Sequence, residues 1–174
     1  MVPLNTLLII FIIFFGFIGF VRCWARETLV TFSMILSLFM YDLLSRVDQI
    51  SLVLEVISPR TRMVVQAIYV AFFALIGYVG PALYSSRSER RERREKVAYV
   101  ILGALTGAVN GYLIVGTLLY YMHLNDYPLP WFISPPLDPV AYDNLLRWVA
   151  PNLLDPWLGT LVGVSFLIVL IVYV

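Results

Sequence analysis

Five stretches of this chain are apolar almost without interruption: residues 4–21, 28–44, 63–83, 97–121 and 157–174. Each is close to the ~20 residues that a helix needs to cross the hydrocarbon core of a bilayer. The expected fold is therefore all-α, a polytopic integral membrane protein of about five transmembrane helices plus two interfacial helices. The last stretch is the shortest fit, because at about 1.5 Å per residue it reaches roughly 27 Å, just enough to span. The first lacks a basic leader and an Ala-x-Ala cleavage site, so it reads as a retained anchor and not a signal peptide.

The polar segments between these runs have their own patterns. In SRVDQISLVLEVIS, Ser45 is placed to cap, Asp48 follows at capping-box spacing, and Val47, Ile50, Leu54 and Ile57 recur at helical intervals until Ser58-Pro59. This predicts a short helix along the membrane surface that Ser58-Pro59 stops. Residues 122–156 form a proline-rich cap, since seven of the ten prolines lie between positions 128 and 156. Its start, YPLPWFISPP, is expected to be extended, and Asp138-Pro139 to open a short helix over AYDNLLRWVA. Asp155-Pro156 should start the last span in the same way.

Composition agrees with the pattern: 61% of residues are hydrophobic and 13% charged, against roughly 25% charged in soluble domains. A formal charge of +1 argues against a nucleic-acid partner, which a strongly basic domain would mark. One cysteine, Cys23, and one histidine, His123, cannot build a structural zinc site, so no cofactor is expected beyond a pigment or a lipid. The basic residues are concentrated instead in SSRSERRERREK, residues 85–96, with Arg87, Arg90, Arg91, Arg93, Arg94 and Lys96. The positive-inside rule makes this segment cytoplasmic, and the turn with Arg22 and Arg26 with it. The N-terminus is then outside, the C-terminus cytoplasmic, and eight of the twelve basic residues fall inside, with Arg46, Arg60 and Arg62 among those outside. Glu89/Arg93, Glu92/Lys96 and Arg91/Glu95 are (i, i+4) pairs, so the basic run reads as a solvated extension of the fourth span. Its arginines are candidates for contact with lipid or an acidic partner. The outer cap is net acidic, with Asp126, Asp138, Asp143 and Asp155 against Arg147.

Candidate functional residues are few. Gly103, Gly107 and Gly111 recur four apart and fall on one helix face, with Ala104 and Ala108 beside them, so another helix should approach there backbone to backbone. Asn110, midway along the same span, reads as a packing lock through an interhelical hydrogen bond, with a polar pathway as the alternative. Gln66 is expected to reach the interface, and Thr106 and Thr117 to return their hydroxyls to the preceding turn. His123 is the one candidate ligand for a haem or pigment metal, although beside tyrosines it reads more readily as a loop residue. No G-x-S-x-G elbow accompanies the scattered Ser, His and Asp residues, and no enzyme activity is expected.

Residues 19–27, GFVRCWARE, place Gly19, Arg22 and Arg26-Glu27 directly before the second span. This resembles the colicin V production protein family, CvpA, whose first hairpin carries G-x-x-R-G-x-x-R-E, here with Cys23 at the second glycine. GALTGAVNGYLIV, from Gly103 to Val115, is similar to that family's later glycine-rich helix, and residues 134–154 to its usual ending. The resemblance covers residues 4–154 and marks 1–154 as a CvpA-like membrane domain, with 157–174 as an additional helix. It implies an inner-membrane protein linked to colicin V production or export, with no catalytic residues to carry over. Physically, Arg22 and Arg26 are one helical turn apart and suited to lipid phosphate or a partner acid, while Glu27 suits the dipole at a helix start, and all three are candidates for contact with lipid or a partner. The function expected is a non-enzymatic scaffold or accessory subunit of a secretion, respiratory or photosynthetic membrane complex, in contact with lipids and other integral subunits; the alternative is a small transporter or export factor.

Overall fold

The computed structural model describes residues 4–22, 24–83, 96–128 and 147–173. Among these, which include no strand, the chain runs through α1 (Leu4–Arg22), α2 (Trp24–Ser45), α3 (Asp48–Val56), α4 (Pro59–Leu83), α5 (Lys96–Leu124), α6 (Ala150–Leu154) and α7 (Leu158–Tyr173). The chain is an all-α polytopic membrane protein: α2, α4, α5 and the stretch Ala150–Val172 are each long and apolar enough to cross a membrane, and α1 is a shorter apolar helix. Expected chemistry on residues 85–95, including Arg90, Arg91, Arg93 and Arg94, and on the cap from 129 to 146 lies outside the described residues.

α2 and α5 form the central pair and run in the same direction, as Glu27 meets Asn110 and Tyr41 meets Tyr121. α1 packs antiparallel on α5, α4 antiparallel on α2, and α7 antiparallel on α2 through Phe32 and Phe166. Val30, Met34 and Leu38 of α2 meet Val70 of α4, Leu113 and Tyr121 of α5, and Leu158 of α7 in one apolar core. That arrangement puts the polar side chains of α2 and α5 at the middle of the bundle, shielded by α1 and α4.

Several helix boundaries differ from those expected. Ser45 does not cap α3: it is the last residue of α2, and its hydroxyl donates to the Asp42 carbonyl at 2.8 Å. Ser58 caps the following helix, accepting from the Thr61 amide at 3.2 Å, with Pro59 in the first helical position, so the third span begins at 59 and not 63. Ile50, Leu54 and Ile57 are half-buried, and the most exposed apolar side chains here are Leu52, Val53 and Val56. Asp155-Pro156 forms a single 3-10 turn, Asp155–Trp157, that joins α6 to α7. The crossing helix thereby gains length from Ala150 onward instead of starting at Trp157.

α5 ends in a Schellman turn. The Asp126 amide donates to the His123 carbonyl and the Tyr127 amide to the Met122 carbonyl, both at 3.0 Å, satisfying carbonyls that the helix end would orphan. Tyr127 then folds back into a cluster with Leu8, Val115, Leu119 and Met122. Asp126 sits at φ 54°, where glycine is the usual residue. Asp126→Gly is expected to stabilise the fold by about 0.5–1 kcal/mol, because the side chain's left-handed penalty disappears; thermal unfolding in detergent measures it.

Candidate functional site

The site is made possible by how closely α1 and α5 approach. A Cβ added at Gly19 would overlap the Gly103 carbonyl oxygen and lie 2.9 Å from the Gly107 Cα. At Gly103 it would lie 2.5 Å from the Gly19 oxygen, and at Gly111 2.8 Å from the Phe15 Cβ. The α5 glycines are thus covered by α1 of the same chain. The two motifs behind the family resemblance, one around Gly19 and one around Gly107, are pressed against each other.

Asn110 lies on the α5 face turned to α2, and both its side chain and that of Glu27 are fully buried. Its Nδ2 donates to Glu27 Oε2 at 2.8 Å and to the Glu27 carbonyl at 3.0 Å, while its Oδ1 accepts from the Thr31 hydroxyl at 2.6 Å. Arg22, the last residue of α1, brings its Nε to 3.3 Å from Glu27 Oε1. The same guanidinium donates to the Tyr78 carbonyl at 3.1 Å and stands 4.5 Å above the Tyr78 ring. Four helices, α1, α2, α4 and α5, therefore meet around one carboxylate. The local sequence favours this: a cation ends α1, where helix dipole charge is negative, and an anion begins α2, where it is positive.

A buried carboxylate is tolerated only when paired and hydrogen-bonded, and here Oε2 is bonded whereas Oε1 has charge contact without an aligned hydrogen bond. Among the described residues, Glu27 Oε1 and the buried Tyr78 hydroxyl remain without hydrogen bonds. Glu27, expected to face lipid or a partner beside Arg22 and Arg26, instead turns inward. Linear order cannot show that residue 27 meets residue 110. Arg22 keeps 29% of its side chain exposed, and Arg26 is half-buried with interactions of its own.

A second polar layer crosses the bundle one helical stretch away. Gln66, expected at the interface, is buried; its Nε2 donates to the Tyr41 hydroxyl at 2.5 Å and its Oε1 accepts from Asn125 at 2.7 Å. Tyr69 donates to the Ser37 carbonyl at 2.8 Å and Ser33 to the Phe73 carbonyl at 2.5 Å. Ser33 and Ser37, four apart, form with Gly77 a small-residue seam between α2 and α4, where a Cβ at Gly77 would stand 2.7 Å from the Val30 Cα. That spacing was readable in the sequence as a small-xxx-small pattern. Thr106 and Thr117 bond the Leu102 and Leu113 carbonyls as expected. His123 Nδ1 is 3.4 Å from the Tyr127 hydroxyl, and among the described residues no His, Cys, Asp or Glu side chains group as metal ligands do.

The arrangement can hold four helices in register through one charged, hydrogen-bonded centre, and it places an ionisable group where the bilayer would otherwise exclude one. No family model, curated protein or solved structure matches this chain.

Proposed function

We propose that the chain is a non-enzymatic integral membrane scaffold or accessory subunit of a larger membrane complex, CvpA-like in its first 154 residues. On this reading it sits in the inner membrane with its N-terminus outside, its C-terminus cytoplasmic and the basic run at 85–96 on the cytoplasmic side. The observation that carries the proposal is the last span. α7 packs chiefly on α2, and Gly159 and Gly163, four residues apart, have nothing among the described residues within 4 Å of a Cβ built on them. The α5 glycines are used up inside the chain, whereas these leave a close-approach face open to a neighbouring subunit's helix.

The test is native purification in mild detergent with identification of what comigrates. The wild-type chain is expected in a complex larger than its monomer, and Gly163→Leu is expected to release it while leaving its own thermal unfolding unchanged, since no atom of the described residues lies against Gly163. A monomer from the native membrane, or a complex indifferent to Gly163→Leu, rejects the reading.

A second reading, a small transporter or export factor, is favoured by the Glu27 carboxylate itself, as ionisable groups inside spans often mark ion or proton paths. It requires Glu27→Gln to abolish flux in proteoliposomes while the chain remains folded.

A further inference from the structure

At the end of the bundle where α2 and α5 finish, a cavity of about 220 Å³ opens between α2, α5 and the α6–α7 connection. Its lining includes Tyr41 and Asp42 of α2, Tyr120 and Tyr121 of α5, and Asn152 and Asp155 from the connection. We propose that this cavity binds a small organic monocation, an ammonium group carrying a compact apolar body.

Charge selects the class. Asp42 is held by Arg46, the residue just past the end of α2, with Nη2 to Oδ2 at 2.8 Å, so that pair is neutral as a unit. Asp155 has no ion pair among the described residues and leaves the cavity with one net negative charge. No residue from 129 to 146 is basic, so that segment holds no cation. One free carboxylate is too few for a divalent ion, which takes six or more oxygens when it is calcium. It matches a monocation.

Aromatic rings select the rest. Tyr41 and Tyr121 have ring centroids 5.0 Å apart, tilted by 50°, and Tyr120 stands 5.8 Å from Tyr121. Tilted rings beside a carboxylate are the surroundings in which alkylammonium groups bind, by attraction to the ring faces. Their positions are set from behind: Asn125 holds Gln66, and Gln66 donates to the Tyr41 hydroxyl. Tyr121 is only 2% exposed and lines the cavity, which makes its hydroxyl oxygen the candidate acceptor for an ammonium N–H there. This chemistry suits either a soluble amine or the amine headgroup of a lipid.

The full chain in dodecyl maltoside, an uncharged and amine-free detergent, is titrated with tert-butylammonium and with neutral tert-butanol, followed by saturation-transfer NMR. Saturable binding of the cation alone is expected, weakened at least about tenfold by Asp155→Asn. Asp48→Asn, an exposed acid on α3, should leave it unchanged. Tyr121→Phe, which keeps the ring and removes the hydroxyl, should weaken binding several-fold without altering thermal unfolding. Doping the micelles with phosphatidylethanolamine separates the sources: displacement of tert-butylammonium assigns the site to a lipid headgroup, and retention assigns it to a soluble amine. Equal binding of tert-butanol, no saturable binding, or indifference to Asp155→Asn overturns the proposal.

Discussion

Gly19→Ala is expected to be among the most damaging single-atom additions in the chain, separating α1 from α5 and destabilising the protein by about 3 kcal/mol or more. Overpacking a core by a methyl group ordinarily costs about 1–3 kcal/mol because side chains shift to make room. Here the added carbon meets backbone on both sides, the Gly103 carbonyl and the Gly107 Cα, and helical backbone cannot give way without moving the whole of α1. Gly80→Ala is the matched control, as nothing among the described residues lies within 4 Å of a Cβ at that position; helix propensity alone should make it neutral or slightly stabilising. Thermal unfolding in detergent, with a cysteine pair placed across α1 and α5 to report their contact by crosslinking, separates the two. Equal melting of both variants and an intact crosslink in Gly19→Ala would show that the seam is looser than described.

Asn110→Leu carries the second large effect, a loss of about 3 kcal/mol. Interhelical hydrogen bonds between neutral groups in membranes average only about 0.6 kcal/mol, so deleting an ordinary amide would be mild. Asn110 is different because its Nδ2 bonds a buried carboxylate, and removing one partner of a buried charge leaves the desolvation penalty uncompensated, about 3–5 kcal/mol in soluble proteins. Arg22, still 3.3 Å from the carboxylate, keeps the loss toward the lower end. Glu27→Gln should cost about 1 kcal/mol, as it preserves an acceptor for Asn110 and leaves Arg22 partly in water. The double variant Glu27→Leu with Asn110→Leu should recover much of the single loss, because an apolar replacement of the whole pair removes the buried charge too. Additive effects in that cycle would mean that the two side chains do not interact in the membrane.

Much of the fold was legible along the chain. Apolar run length located α2, α4 and α5 to within a turn or so, because bilayer thickness sets helix length directly. Errors fell where two helix signals share a few residues. Ser45 looked like a cap from its spacing to Asp48, but α2 continued through it, since a serine hydroxyl can return to its own helix as readily as it caps the next. Ser58-Pro59 signals a stop and a start with equal strength, and only the bond from Thr61 shows that it begins α4.

The candidate site was legible in parts and not as a whole. The Gly103, Gly107 and Gly111 face was visible because four-residue spacing projects to one side of a helix whatever surrounds it. Asn110 was visible as an amide in an apolar run. Their partners were not: Gly19 and Glu27 lie 84 and 83 positions away from Gly103 and Asn110 respectively, and no local pattern encodes which helices become neighbours. The sequence by itself determined that this chain lives in a membrane as a helical bundle, because the bilayer admits little else for so apolar a chain. Only the tertiary structure decided that α1 closes the glycine face, that Glu27 turns inward to Asn110 and Arg22, and that acids and tyrosines from α2, α5 and the turn before α7 share a cavity. Those outcomes depend on helix rotation and pairing, which are set by contacts between segments distant in the chain.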